Sequence, residues 1–132
     1  MMPFKEGDSF AQRFHLSPAV YQNFINTFQD QNPLHTDSSF ARKKGFRDKV
    51  MHGNILGGFL SYFVGECLPT KEVIIHKQEI KFKKPVYEGD HLLLEASVTN
   101  VHESVGALEI KFHFLRDGEK MASGSLQVGL LP

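Results

Sequence analysis

Gly53-Asn54-Ile55-Leu56-Gly57-Gly58-Phe59-Leu60-Ser61-Tyr62-Phe63-Val64-Gly65 is the stretch on which the fold turns. Wound as a helix at about 100° per residue, it puts Asn54, Gly57, Gly58, Ser61 and Gly65 on one narrow stripe. Ile55, Leu56, Phe59, Leu60, Tyr62, Phe63 and Val64 cover the rest. A helix apolar on so many sides is expected to be buried. Glycine inside a helix costs roughly 1 kcal/mol relative to alanine. The adjacent Gly57 and Gly58 therefore imply that something approaches the backbone closely, either a packed helix or sheet or a ligand. The apolar run from Ile55 to Val64 is too short and too glycine-rich to span a bilayer.

Downstream of this helix the periodicity changes from helical to alternating. Val73 to Lys84 places Ile80 and Phe82 on one face and Glu79, Lys81 and Lys83 on the other. Pro85 ends that strand and Glu88-Gly89-Asp90 makes a turn. Leu92–Val101, Ala107–Leu115 and Met121–Leu130 are the next strands, the last two joined by Arg116-Asp117-Gly118-Glu119, a strong hairpin signal because Asp-Gly tolerates positive φ. Consecutive strands with short turns predict an antiparallel meander. Upstream, Ser9 to Leu16 alternates as a first strand. Ser17-Pro18 starts a helix, with Ser as N-cap and Pro at the first helical position. Val20, Tyr21, Phe24, Ile25 and Phe28 follow at helical spacing, and the helix must stop before Asn32-Pro33. A short second helix begins near Asp37 or Ser38 and covers Phe40 and Ala41. The fold class is thus α+β, with an antiparallel sheet wrapped around a buried helix, in a single domain over residues 1–132.

Composition narrows the function classes. Fifteen basic residues balance fifteen acidic ones, so no broad field for nucleic acid or an anionic membrane exists. With 41% hydrophobic and 23% charged residues the chain is neither disordered nor membrane-embedded. Twelve Phe and no Trp imply a Phe-rich core and a greasy pocket. The one cysteine, Cys67, excludes an internal disulfide and suits a reducing compartment. Following an apolar helix and preceding Leu68-Pro69, it reads as a packed thiol rather than a nucleophile. The first residues carry no apolar targeting segment, and a cytoplasmic location is expected.

Asp30-Gln31-Asn32-Pro33-Leu34-His35 lies between the first helix and the buried one. Five residues apart, Asp30 and His35 would not share a helical face, but proline breaks the helix and lets a loop fold both side chains toward one point. A carboxylate beside an imidazole is a workable acid/base pair. His52-Gly53 follows where the buried helix begins. A helix start offers free N–H groups for a developing oxyanion, and glycine leaves the approach open. Taken alone, a loop Asp is as readily a cap and a loop His as readily solvated.

The run Asp30-Gln31-Asn32-Pro33-Leu34-His35-Thr36-Asp37, followed by Phe40-Ala41, Gly45-Phe46 and His52-Gly53, resembles the signature of MaoC-like dehydratases and (R)-specific enoyl-CoA hydratases. The similarity continues through Leu68-Pro69 and Phe82-Lys83-Lys84-Pro85-Val86-Tyr87-Glu88-Gly89-Asp90. The resemblance implies a hotdog fold, in which an antiparallel sheet wraps a long central helix, paired as a homodimer. It implies that Asp30 and His35 are the catalytic pair, that Asn32 positions the loop, and that the Gly53 N–H binds the thioester oxygen. Ser61 falls where single-domain hydratases carry a serine near the pair. The implied substrates are acyl-CoA or acyl-carrier-protein thioesters. The implied reaction hydrates trans-2-enoyl thioesters to (R)-3-hydroxyacyl thioesters or runs in reverse. No cofactor is implied, and no nucleic-acid or membrane partner.

Two other readings share the fold. A hotdog thioesterase would aim water at the carbonyl carbon, against which the Asp30–His35 loop speaks. A non-catalytic acyl-thioester-binding subunit would have no need of Asp30, Asn32, His35 and Gly53 together. Asp30, His35 and His52 have the donor types of a metal site, but nothing in their spacing demands a metal, and none is expected. Arg42, Lys43, Lys44 and Arg47, and separately Lys81, Lys83 and Lys84, could meet a carrier's phosphates or form a solvated charged face.

Overall fold

The computed structural model describes residues 2–132. Strand β1, Ser9–His15, leads into helix α1, Pro18–Phe28. The Ser17 hydroxyl caps α1 by accepting from the Val20 N–H at 3.2 Å. Short helices α2, Pro33–Thr36, and α3, Ser38–Lys43, precede the central helix α4, Asn54–Tyr62. Four strands follow: β2, Val73–Phe82; β3, His91–His102; β4, Ala107–Arg116; and β5, Glu119–Leu130.

All five strands form one antiparallel sheet in the order β1-β3-β4-β5-β2. Only β3, β4 and β5 form the expected meander. β2 does not pair with β3: it crosses to the far edge and pairs with β5, Phe82 opposite Ala122. Residues 83–90 make that crossing, where Pro85 cannot donate to a ladder. Arg116 fixes the far end of the crossing, donating to the Asp90 carboxylate at 2.7 Å. The β2–β5 pairing requires a residue without Cβ at position 124, because a Cβ there would lie 1.9 Å from the Glu79 carbonyl oxygen.

The inner face of the sheet supplies the core at the strand period of two. Leu92, Leu94, Ala96 and Val98 of β3 and Leu108, Ile110, Phe112 and Phe114 of β4 are all buried. They cluster with Ile55, Leu56 and Leu60 of α4 and with Phe63 and Val64 just beyond it. The central helix is therefore buried through Ile55, Leu56, Leu60, Phe63 and Val64, but not all round as expected: Phe59 is half-buried and Tyr62 is exposed. Two further points differ. The helix does not stay α-helical to Gly65, since Phe63–Cys67 forms a wider π-helical turn. It ends at Leu68, extended at ψ 160° ahead of Pro69. The small-residue stripe, moreover, is not covered within the chain. Asn54, Gly58, Ser61 and Gly65 are exposed, and a Cβ at Gly58 or Gly65 would meet nothing within 4 Å. Only at Gly57 does a neighbour come near, the Gln78 side-chain amide. Cys67 is half-buried, and its thiol donates weakly to the Gln12 side-chain oxygen at 3.5 Å, as a packed helix-end thiol should. No helix among the described residues is long and apolar enough to cross a membrane.

Candidate active site

The site begins where α1 stops. The helix ends at Phe28, five residues before Pro33, because Gln29 adopts the left-handed conformation at φ 61° and its N–H bonds back to the Ile25 carbonyl at 2.7 Å. This sharp exit throws Asp30 clear of the helix. The Asp30 carboxylate accepts from the Asn32 N–H at 3.1 Å, closing a turn on itself. Asn32 is then the N-cap of α2, its side-chain oxygen accepting from the Leu34 N–H at 3.0 Å, with Pro33 at the first helical position. Asn32 thus shapes the loop through local bonds. The one-turn α2 was not read from the sequence; it is what carries His35 out of the loop.

His35 is held at both ends. Its own carbonyl accepts from the Tyr21 hydroxyl at 2.6 Å. Its ring Nδ1 lies 2.7 Å from the Val50 carbonyl oxygen. A carbonyl can only accept, so Nδ1 donates to it, and in the neutral ring Nε2 presents a lone pair. That is the form able to take a proton from water.

His52 lies against His35, with ring centroids 4.1 Å apart and planes tilted by 31°. At 3% exposure it is the one buried polar or charged residue among the described residues. Its Nε2 donates to the Asp30 carbonyl at 2.8 Å, while its Nδ1 is buried with no protein partner. An unsatisfied buried polar atom costs about 1–3 kcal/mol. One nitrogen of each imidazole and a carboxylate oxygen of Asp30 lie within 4.8 Å of one another. These are metal-ligand types, but one nitrogen of each ring is engaged by a backbone carbonyl, His35 Nδ1 by Val50 and His52 Nε2 by Asp30.

Immediately after His52 comes Gly53, the N-cap of α4. No side chain caps this helix, and among the described residues the Gly53 N–H has no partner. A Cβ at Gly53 would lie 2.8 Å from the Phe82 ring, so glycine lets β2 close over the helix start. Asp30, His35 and Gly53 all line one cavity of about 470 Å³, with Phe24, Phe82 and Lys83 among its other walls.

Ser61 is not among the residues lining that cavity. It lies on the exposed stripe, two turns along α4. A second, larger cleft of about 740 Å³ shares Phe24, Asp30 and Asn54 with the first and continues along Val20, Phe28, Gly58 and Phe59. Lys83 and Lys84 stand at the first cavity, Lys84 in an ion pair with Glu119. Lys81 is not among its lining residues. Arg42 and Arg47 pair instead with Asp48 and Asp90. Asp48 is held below the ordinary carboxylate range, chiefly by the Ser38 hydroxyl, with help from the Lys49 N–H and the Arg42 and Lys49 charges. Tyr21 and His52 are the anchors that sequence reasoning left unassigned. The signal for Tyr21 was available, since a buried tyrosine hydroxyl needs a partner.

The MaoC-like domain model matches residues 4–111. The (R)-specific enoyl-CoA hydratase of Aeromonas caviae is 33% identical over 109 residues, covering 83% of this chain and 81% of the relative. The mitochondrial 3-hydroxyacyl-[acyl-carrier-protein] dehydratase of Arabidopsis thaliana is 27% identical over 108 residues, covering 82% of this chain and 64% of the relative. Among solved structures, the (R)-hydratase of A. caviae involved in PHA biosynthesis superposes with a TM-score of 0.89 at 28% identity over 100% of both chains. The wrapped central helix, the single sheet and these matches together assign the chain to the MaoC-like family of hotdog-fold hydratases and dehydratases.

Proposed function

We propose that the protein adds water to trans-2-enoyl thioesters, giving (R)-3-hydroxyacyl thioesters, or removes it in reverse. The observation that carries this reading is that Asp30, the free Nε2 side of His35 and the uncapped helix start at Gly53 border one cavity. A thioester carbonyl conjugated to the double bond accumulates negative charge as water attacks C3. The Gly53 N–H and the positive end of α4 stabilise that charge. Asp30 helps hold the water, the His35 Nε2 takes a proton from it as the C3–O bond forms, and that proton is passed on to C2, so both residues end in their starting protonation states. The new C–O bond forms as the π electrons move to C2, so the step needs no electron donor or acceptor. The (R) configuration is taken from the Aeromonas relative, whose name states it.

The acyl group extends from this cavity into the cleft beyond Phe24, beside Asn54 and Gly58. Ser61, further along the same stripe, contacts substrate only if the acyl chain or a partner subunit reaches it. A homodimer is proposed from the family resemblance, and both CoA and an acyl carrier protein are allowed as carrier. Residues 1–132 are read as one domain, since β5 pairs with both β4 and β2 and so ties the end of the chain to its middle. The free thiol of Cys67 suits the cytoplasm.

The test is hydration of crotonyl-CoA and longer trans-2-enoyl-CoAs, followed by loss of enone absorbance, with wild type, Asp30→Asn and His35→Ala. Both variants are expected to lose about 10²-fold or more in kcat. Full activity in both variants would refute the pair. Free thiol release without hydration would favour a thioesterase.

A further inference from the structure

We propose that His52 is a positioning residue that holds Asp30, His35 and the Gly53 helix start in register, an inference that rests on the Asp30/His35 reading above. Three contacts carry it. The His52 Nε2–H donates to the Asp30 backbone carbonyl at 2.8 Å. Its ring packs on the His35 ring with centroids 4.1 Å apart. Its own carbonyl accepts the Ile55 N–H at 3.1 Å, opening α4 one residue before Gly53. Asp30 is otherwise pinned only through its carboxylate, by the Asn32 N–H. His35 is otherwise oriented only along its edge, by the Val50 carbonyl. The Nε2–H of His52 supplies what Asp30 lacks, a fixed backbone for its carboxylate, while the ring packs beside the imidazole and adds to stability.

The surroundings of His52 are those of an aromatic core position, not of an imidazole. It lies 4.6 Å from the Phe24 ring and 6.0 Å from the Tyr21 ring, at 3% exposure. Its Nδ1 is buried without a partner. An unsatisfied buried acceptor opposes folding, so a purely apolar ring would suit the fold better. Asp30 stands at the surface, where water can take over its carbonyl if the His52 donor is removed. The hydrogen bond therefore contributes geometry more than stability. In this position the imidazole is useful for one property a phenyl ring lacks, the Nε2–H directed at Asp30.

The position can be probed by separating ring from donor. His52→Phe keeps the flat ring and removes the donor. His52→Gln loses the ring but places an amide N–H about where Nε2 stands. Both are assayed with wild type, Asp30→Asn and His35→Ala on crotonyl-CoA, with kcat, KM and melting temperature measured for each. His52→Phe is expected to melt at or above wild type, with kcat down about tenfold to a hundredfold and KM nearly unchanged. His52→Gln is expected to recover most of that kcat although it melts lower. A His52→Phe enzyme with wild-type kcat overturns the proposal. So does a His52→Gln as impaired in kcat as His52→Phe, because the donor would then not be what matters. A His52→Phe chain that fails to fold also overturns it, since the hydrogen bond would be structural. If instead Asp30→Asn and His35→Ala retain full activity, the underlying catalytic reading has failed, whatever His52 does.

Discussion

Gly58 offers the sharpest separation of stability from function. It sits inside α4, is exposed, and has nothing within 4 Å of where its Cβ would stand. Gly58→Ala therefore carries no steric cost within the chain and recovers about 1 kcal/mol of helix propensity. For a domain of this size that is a rise of about 4 °C in melting temperature. Gly58 also lines the cleft assigned to the acyl chain. A leucine there fills that cleft and leaves the cavity holding Asp30, His35 and Gly53 alone. Each methylene denied burial forfeits about 0.8 kcal/mol. Two or three denied methylenes amount to about 2 kcal/mol, or about thirtyfold in kcat/KM. Gly58→Leu is thus expected to hydrate crotonyl-CoA like wild type and octenoyl-CoA about thirtyfold more slowly. The assay is loss of enone absorbance across a chain-length series, with a thermal melt of each variant. An alanine variant that melts lower shows that a partner packs on the stripe at this point. A leucine variant that treats both chain lengths alike shows that the acyl chain runs elsewhere.

Other outcomes follow from single contacts. Gly53→Ala fits the local backbone, whose φ is −59°, but drives a methyl to 2.8 Å from the Phe82 ring; the helix start that carries the oxyanion donor must shift, kcat/KM should fall by up to about 10²-fold, and Phe82→Ala in the same chain should restore much of it. Tyr21→Phe strands the His35 carbonyl, now bonded at 2.6 Å, and should lower stability by about 1–3 kcal/mol in urea unfolding. Gly124→Ala sets a methyl against the Glu79 backbone oxygen, which cannot rotate away. It should exceed the usual overpacking cost of about 1–3 kcal/mol and lower the melting temperature more than any variant above. Burial, and then the Glu66 charge, push the Cys67 thiol up. The unfolded chain therefore releases the Cys67 proton first. The stability Cys67 confers is complete below the ordinary thiol value, about 8.5, and declines as pH climbs through the raised folded value. Alkylation of the native protein should be slow near neutrality, and Cys67→Ser should flatten the alkaline loss.

What the sequence discloses, and what it withholds, divides along a physical line. Strands and the buried helix were legible because burial imposes period: Leu92, Leu94, Ala96 and Val98 alternate inward as their spacing requires. Strand order was not, because nothing in Val73–Phe82 announces that its partner is β5 and not β3. That pairing is set by a crossing around Pro85 and a close approach at Gly124. In the site, the residue types were legible and their supports were not. Asp30, Asn32 and His35 lie in one short run, in which the left-handed Gln29 ends α1 and Pro33 opens the one-turn α2 that carries His35. Their anchors, Tyr21, Val50 and His52, come from elsewhere in the chain, and Val50 acts through a backbone carbonyl that its side chain does not advertise. The resemblance to MaoC-like hydratases placed Ser61 near the pair. Within one chain it stands on the open stripe and lines neither cavity.

On the proposed reading, these supports divide the roles within the pair. Every bond holding His35 goes to or from a backbone carbonyl, and the one at Nδ1 consumes the ring's only proton in its neutral form. The imidazole is thereby fixed as acceptor toward the cavity before substrate arrives. Asp30 is the opposite case. Its carboxylate is exposed and spends one oxygen on the Asn32 N–H, so it has a second oxygen free for water. An enzyme that must take a proton at one point and return it at the neighbouring carbon needs one rigid base and one group able to follow the proton. The rigid partner should tolerate substitution less. His35→Ala, which also frees the Val50 carbonyl, is expected to lose more in kcat than Asp30→Asn, whose amide keeps an oxygen acceptor for the Asn32 N–H. The reverse order would make Asp30 the base and His35 its support.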